Sequence, residues 1–145
     1  MVNPRKAYPI DSGLIPVFDR SGKANLGHSL ENAVALELER RGAGINYVKS
    51  SAGHEADFLA RYPDGRRELI QVCADLDSSA VRDREIHALR EAAHEYPRAT
   101  LHIVVMNADT ISHVPDDITV HAASIWLLGN SETPAGEWAS RIQAL

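Results

Sequence analysis

Carboxylate and amide side chains occur at three places in the sequence from which they could surround one phosphate group. Asp57 follows Glu55 by two residues in the stretch EADFLARY, and Gln71 precedes Cys73 by two in the stretch ELIQVCA. Residues two apart in a strand share a face, so a hairpin of these stretches can place Asp57 beside Gln71 and Cys73. Glu31, in the preceding helical stretch, is within reach of the same place. Oxygen ligands of this kind bind Mg²⁺, which activates a water and stabilises charge on a phosphate, as a metal-dependent phosphodiesterase requires.

A helix over residues 26–41 must position Glu31. Its apolar stripe has helical spacing and consists of Leu30, Val34 and Leu38, widened by Leu26 and Ala33. At about 100° per residue, Glu31 and Glu37 fall within or beside the apolar arc. A carboxylate buried there needs a partner, a proton or a metal. Asn32 and Glu39 fall on the opposite side, which we expect to face solvent.

Apolar runs separated by Gly and Pro turn signals predict the remaining elements. Strands are predicted over 45–49, 55–62, 68–74, 100–106 and 118–121, and an edge strand over 7–10. A helix is predicted over 79–96, a short helix or turn over 122–128 and a final helix over 135–144. The second and third strands form a hairpin with a four- or five-residue loop. The side chains of the second helix that we expect to face the sheet are Val81, Ile86 (or Glu85), Leu89 and Ala93. The order α-β-β-β-α-β, followed by a further strand, is typical of an α/β layered domain with a mixed sheet.

Composition excludes several classes of protein. The chain has 145 residues, 15 Lys+Arg, 20 Asp+Glu and a formal net charge of -5. Its single cysteine, Cys73, excludes an internal disulfide and a Cys-rich zinc cluster. No apolar run approaches the roughly 18 residues of a membrane span, and the N-terminus lacks an apolar signal segment. We therefore expect a single cytoplasmic domain over 1–145 with no membrane partner, and the acidic balance weakens the case for non-specific nucleic-acid binding.

The same residues, taken in order, resemble a known family. An acid on the first helix, Asp57 on the second strand and Gln71-Val72-Cys73 on the third are similar to the PD-(D/E)XK nuclease superfamily. Residues 3–128 resemble more closely the domain of unknown function found at the C-terminus of many bacterial and archaeal AAA+ ATPases, with 129–145 as a tail. The matching pieces include Asn3-Pro4-Arg5-Lys6, Leu30-Glu31-Asn32-Ala33-Val34, Glu55-Ala56-Asp57-Phe58, Leu69-Ile70-Gln71-Val72-Cys73 and Arg84-Glu85.

This resemblance implies an α/β fold with a restriction-endonuclease-like or Holliday-junction-resolvase-like αβββαβ core. It also implies Glu31, Asp57 and Gln71 as catalytic residues and Mg²⁺ ligands if the domain is active. In full-length relatives it implies an upstream ATPase module.

The chain departs from the nuclease pattern at two positions of the third strand. Where the pattern has an acid and a lysine, this sequence has Gln71 and Cys73. An amide oxygen can still contact a metal but brings no charge, and a thiol cannot replace the lysine's cation. A displaced basic residue could substitute, and the candidates are Lys49, Arg82 and Arg84. The chain also has no G-x-x-x-x-G-K-[ST] stretch, so it is either an excised domain or a stand-alone descendant.

Other residues favour structural interpretations. His87 and His94 lie on one helix face, but no closely spaced ligand set accompanies them, which disfavours zinc. Cys73 is expected to behave as a small buried hydrophobic residue. Trp126 is expected to anchor the C-terminal part of the chain on the core or to form a dimer contact.

Three functional hypotheses follow. The first is a catalytically degenerate nuclease-like domain that serves as a binding or regulatory module of an AAA+ ATPase. The second is an active Mg²⁺-dependent DNA endonuclease with a displaced basic residue. The third is a protein-interaction domain, for example a homodimer, in which the polar cluster is structural.

Overall fold

Three helices and five strands are formed in the residues that the structure describes. The computed structural model describes residues 9–11, 26–50, 53–108 and 113–128. The elements are α1 (Leu26–Arg40), β1 (Gly44–Lys49), β2 (Glu55–Arg61), β3 (Arg67–Cys73), α2 (Ser79–Glu95), β4 (Thr100–Val105), β5 (Ile118–Ala122) and α3 (Ala123–Leu128). The predicted order is confirmed, and each predicted boundary lies within one residue of the observed one. The predicted helix over 135–144 lies outside the described residues, as do residues 7–8 of the predicted edge strand, and residues 9–10 form no strand.

The five strands form one mixed sheet in the order β1-β2-β3-β4-β5. The pairs β1–β2 and β2–β3 are antiparallel, and the pairs β3–β4 and β4–β5 are parallel. Parallel strands need a crossover connection, and α2 supplies it between β3 and β4. The hairpin between β2 and β3 turns through five residues, with Gly65 at a φ of 89°.

Helices cover both faces of this sheet and bury a core on each. The α1-side core contains residues of α1, α3 and the sheet, including Leu30, Val34, Leu38, Phe58, Ala60, Ile70, Val104, Ala123 and Trp126. The α2-side core contains Val48, Ala56, Leu59, Leu69, Leu76, Leu89, Ala92, Leu101, Ile103, Val105 and Ile118. Each large apolar side chain buried in this way stabilises the fold by about 1.5–3 kcal/mol. None of the described helices is long and apolar enough to cross a membrane.

Ion pairs at the end of α1 fix Arg41, which in turn contacts α3. The Glu37 carboxylate accepts hydrogen bonds from Arg40 at 2.6 and 2.7 Å and from Arg41 Nε at 2.7 Å. These bonds and charges hold the pKa of Glu37 below its ordinary value, although burial opposes the shift. The Arg41 guanidinium also lies 4.1 Å from the centroid of the Trp126 ring and donates to the Trp126 carbonyl. The burial predicted for Glu37 and the anchoring predicted for Trp126 are therefore confirmed.

Asn32 corrects one expectation about α1. The stripe geometry predicts that Asn32 faces solvent, but its exposed fraction is only 2%. Its Nδ2 donates to the Pro9 carbonyl at 2.9 Å. The segment at residue 9 thus covers a helix face that the periodicity marks as exposed, because periodicity cannot register a covering segment from elsewhere in the chain. Glu31, for which the same geometry predicts burial, has an exposed fraction of 8%.

Candidate functional site

Strand β2 contains one extra residue opposite β1. On either side of the irregularity, Asn46 pairs with Leu59 and Val48 pairs with Ala56. One residue of β1, Tyr47, therefore stands opposite two residues of β2, Asp57 and Phe58. This is a β-bulge, an irregularity that is common beside active sites and re-aims side chains.

The bulge breaks the alternation of side chains along β2 between Asp57 and Leu59. Ala56 and Leu59 both belong to the α2-side core, whereas Phe58 belongs to the α1-side core. In a regular strand Asp57 would share the face of Leu59. With the extra residue it is turned towards the α1 side, the side that also carries Tyr47.

Side-chain hydrogen bonds tie the bulge to β3. Asp57 Oδ2 accepts from the Val72 backbone N–H at 2.9 Å, and the Asp57 backbone N–H donates to Gln71 Oε1 at 3.3 Å. Regular backbone pairing between these strands begins only at Phe58 and Ile70. The two polar side chains therefore take over the role of the backbone ladder where the bulge interrupts it. The predicted proximity of Asp57 and Gln71 is present in the structure, with the two side chains engaged in backbone contacts.

The Gln71 carboxamide is bonded at both ends. Its Nε2 donates to Glu85 Oε2 on α2 at 2.7 Å, in addition to the bond that its Oε1 accepts from Asp57. The other oxygen of Glu85 accepts from Arg84 Nε at 3.0 Å and from Arg84 Nη2 at 2.6 Å. Gln71 and Glu85 have exposed fractions of only 6% and 7%. Gln71 thus belongs to a buried network on the α2 side, whereas Asp57 is turned towards the α1 side.

Three acidic side chains act on Tyr47 on the α1 side. Burial raises the pKa of Tyr47, and a hydrogen bond with Glu55 and the charges of Glu55, Asp57 and Glu31 raise it further. Glu31 therefore lies in the same neighbourhood as Asp57, as the sequence predicts. His28 adds a further ionisable group, with its Nδ1 3.5 Å from Glu31 Oε2.

The candidate displaced basic residues lie in different places. Lys49 pairs with Glu55 across β1 and β2, and its Nζ lies 3.2 Å from Glu55 Oε1, within the acidic neighbourhood. Arg84 bonds to Glu85 in the network on the α2 side. Arg82 donates from Nη1 to the Leu76 carbonyl at 3.3 Å. Lys49 is therefore the candidate that the fold brings closest to the acids on the α1 side.

Cys73 is half-buried at the end of β3, more accessible than predicted for a core residue. Its Sγ donates to the Asp75 carbonyl at 2.8 Å. Burial raises the pKa of the thiol, with a further contribution from the charge of Glu85, while the Asp75 backbone and the charge of Arg84 oppose the shift. The side chain is thus a neutral thiol at physiological pH and provides no positive charge.

Nothing in the described part of the chain forms a group of three or more His, Cys, Asp and Glu side chains that could hold a metal ion. The oxygen atoms available near Asp57 are the carboxylates of Glu31 and Glu55 on the α1 side. The amide oxygen of Gln71 accepts from the Asp57 backbone. Glu31, Asp57 and Gln71 as Mg²⁺ ligands remain a prediction.

Sequence reasoning missed Tyr47 on the α1 side and the role of Glu85 as a buried partner of Gln71 on the α2 side. Of the alternatives left open for α2, Glu85 is the buried residue and Ile86 is half-buried. A signal for Glu85 exists, because it stands at helical spacing from Leu89 and Ala92, and a carboxylate at an apolar position requires a partner. Tyr47 could not be identified, since its role depends on the bulge.

Comparison with known proteins gives one family and one curated relative. A sequence profile of the family described as Domain of unknown function (DUF4143) matches residues 26–128. An uncharacterized protein of Methanocaldococcus jannaschii is 35% identical over 126 residues, which cover 83% of this chain and 27% of that protein. The chain thus spans about a quarter of the length of this curated relative. No solved structure matches the chain.

Proposed function

The chain belongs to the DUF4143 family, and we propose that it is a catalytically degenerate, nuclease-like domain that serves as a binding or regulatory module of an AAA+ ATPase. The nuclease-like part rests on the resemblance of the α-β-β-β-α-β order and of the Asp57 and Gln71 positions to PD-(D/E)XK enzymes. The claim that the domain is catalytically degenerate rests on the contacts that the residues at those positions make.

The observation that carries the proposal is that the Gln71 side chain is neutral and hydrogen-bonded at both ends. A second metal-binding acid in a nuclease must present a charged oxygen to the ion. At this position the chain has a neutral carboxamide with Oε1 and Nε2 bound to Asp57 and Glu85 respectively. Releasing it would remove the donor to Oε2 of the buried Glu85 carboxylate, whose other oxygen is bound by Arg84, and the loss of a hydrogen bond to a charged group costs about 1–3 kcal/mol. Gln71 is thereby explained as a structural residue.

The missing cation supports the same conclusion. Phosphodiester cleavage requires positive charge to stabilise the transition state, and in the nuclease pattern a lysine two residues after the second acid supplies it. Cys73 occupies that position as a neutral thiol. The neighbouring cation, Arg84, is bound to Glu85 on α2.

The association with an ATPase rests on resemblance and on length. Residues 3–128 resemble the C-terminal domain of AAA+ proteins, and the curated relative is about four times as long as the region it shares with this chain. A domain that lacks its own catalytic groups and is carried in a longer protein is suited to binding a partner or substrate for another module. Discovery of a Walker A motif in the same reading frame or operon as this chain would support the association, and its absence there would argue against it.

An active nuclease is a second candidate because of Lys49. Its ammonium group lies 3.2 Å from Glu55, in the neighbourhood that also contains Asp57 and Glu31. A lysine there could supply the cation that Cys73 does not. In that case the predicted residues Glu31, Asp57 and Gln71 would have to provide the oxygen ligands for Mg²⁺.

Calorimetric titration of Mg²⁺ into the wild type and Asp57→Ala distinguishes the two candidates. For a degenerate domain we expect no heat that depends on Asp57, and any binding to branched or linear DNA should not require metal. Binding of Mg²⁺ that disappears in Asp57→Ala would favour the active nuclease. Lys49→Ala is the matched control, because it should leave metal binding intact while it abolishes cleavage by an active enzyme. A stable dimer without affinity for DNA or Mg²⁺ would instead support an interaction domain.

A further inference from the structure

Two histidines on neighbouring parallel strands bring their ring nitrogens together. His102 on β4 and His121 on β5 have Nδ1 and Nε2 atoms, respectively, 3.0 Å apart. Their rings are nearly parallel, with centroids 5.2 Å apart and an interplanar angle of 27°. Leu101 and Ile103, which flank His102, belong to the α2-side core, so alternation places His102 on the α1 side of the sheet. The pair is two and three strands from Asp57 and is separate from the candidate site.

One assignment of the ring protons satisfies every hydrogen bond of the pair. The Thr100 hydroxyl donates to the Arg67 carbonyl at 3.5 Å, and its Oγ1 lies 2.8 Å from His102 Nε2. With its own proton directed at Arg67, Thr100 accepts from His102 Nε2–H. His102 Nδ1 is then the unprotonated nitrogen, and it accepts from His121 Nε2–H.

The hydrogen bond between His102 and Thr100 resembles the one that a metal-binding histidine makes through its second ring nitrogen. Histidines that bind metals usually donate their second ring N–H to an oxygen, which fixes the tautomer and the ring orientation. Thr100 does this for His102. A single tautomer change at His121, from Nε2–H to Nδ1–H, would leave two unprotonated nitrogens 3.0 Å apart with no net release of a proton. Burial also lowers the pKa of both rings to about 4, so both are neutral at pH 7 and no extra proton competes with a metal.

The separation of the nitrogens indicates the geometry of the ion. An ion about 2.0–2.1 Å from each nitrogen would subtend an angle of about 94° at a separation of 3.0 Å. That angle is typical of adjacent positions of a square-planar or tetragonal ion, and to bind one the rings must turn so that both lone pairs, which now lie along the hydrogen bond, converge on the ion. Tetrahedral coordination would need a separation of about 3.3 Å at the same bond lengths. Imidazole nitrogens bind Cu²⁺ more tightly than Ni²⁺ or Zn²⁺ at a given site, which favours Cu²⁺.

We propose that His102 and His121 form a two-histidine binding site for a divalent transition ion, with preference for Cu²⁺, in which water completes the coordination. Glu68 lies near enough for its charge to act on His121, and this adds negative potential at the site. The proposal does not depend on the nuclease-like function, and either can fail without the other.

Titration of Cu²⁺ into untagged protein at a pH of about 7.5, where both rings are neutral, followed by calorimetry and electron paramagnetic resonance, tests the proposal. We expect one equivalent to bind with a nitrogen hyperfine pattern from two imidazoles, and Ni²⁺ and Zn²⁺ to bind more weakly. His102→Gln or His121→Gln should weaken binding by roughly tenfold or more and leave at most one of these nitrogens.

The matched control is His87→Gln, since His54 and His87 form a second ring pair in edge-to-face contact at 4.6 Å. Loss of the signal in this variant and its retention in His121→Gln would overturn the proposal, as would the absence of stoichiometric binding. If a variant does not fold, the wild type is instead titrated with substoichiometric Cu²⁺ and the paramagnetic broadening of its amide resonances is mapped. Broadening centred on residues 100–104 and 119–122 supports the site, and broadening elsewhere contradicts it.

Discussion

Gln71→Glu tests the buried network directly, because it changes one atom type and almost no volume. The wild-type carboxamide donates from Nε2 to Glu85 at 2.7 Å. In the variant, two carboxylates face each other at this distance in a buried environment. Their repulsion would be about 6 kcal/mol at an effective dielectric constant of about 20. We therefore expect the new pair to bind one proton in the folded state.

The cost of binding this proton sets the expected loss in the free energy of unfolding. Protonation of a carboxyl group with an ordinary pKa of about 4.3 costs about 3.7 kcal/mol at pH 7, since each pH unit corresponds to about 1.36 kcal/mol. Once protonated, the carboxyl group introduced at position 71 can donate to Glu85 much as the amide does, so the free energy of unfolding should fall by about 3–4 kcal/mol at pH 7. The shared proton raises the folded-state affinity for protons above that of the unfolded chain. The loss therefore shrinks as the pH falls, to about 1 kcal/mol at pH 5.

Urea denaturation of the wild type and Gln71→Glu at pH 5, 6, 7 and 8 measures both quantities. The exchanged variant Gln71→Glu/Glu85→Gln is the control, because it restores one amide and one carboxylate in reversed order. It should recover all but about 1 kcal/mol of the wild-type stability. Equal stability of the wild type and Gln71→Glu at pH 7, or a difference independent of pH, would refute the network.

Three further outcomes test other parts of the structure. Glu37→Gln should lower the free energy of unfolding by about 1–3 kcal/mol at pH 7. Because the pKa of Glu37 is lowered in the folded state, its contribution is present above pH 4.5 and lost at lower pH, so the two proteins should converge in acid denaturation. With a chelator present, the wild type should lose stability as the pH falls from 6.5 towards 4, because burial lowers the pKa of His102 and His121 to about 4. His121→Gln should reduce that slope, as measured by urea denaturation at each pH. Trp126→Ala should cost about 3 kcal/mol or more by opening a cavity and removing the ring under Arg41, whereas Trp126→Phe should cost less in thermal denaturation.

The elements of the fold could be predicted because each has a strong local signal. The Leu30, Val34 and Leu38 stripe defines α1, and the continuous apolar run of β4 defines a strand buried on both faces. The burial of Glu31 and Glu37 also follows from helical geometry alone. Local periodicity is sufficient for these features, since the residues concerned lie within one element.

Features that depend on two distant segments could not be predicted. The break in alternation between Asp57 and Leu59 is set by the bulge, which exists only in the pairing of β2 with β1. Asn32 is buried because the chain at Pro9 covers it, 23 residues away in sequence. The contact between Gln71 and Glu85 crosses from strand to helix, and only the apolar spacing of α2 indicates that Glu85 needs a partner. Long-range register and covering segments leave little trace in local patterns.

Single-turnover cleavage of labelled branched and linear DNA, with protein in excess and Mg²⁺ or Mn²⁺ present, is the most direct test of a degenerate nuclease-like domain. We predict that the wild type yields no more product than Asp57→Ala with either metal. Metal-dependent cleavage by the wild type that is abolished by Asp57→Ala and by Lys49→Ala would contradict the account and establish an active enzyme with a displaced lysine.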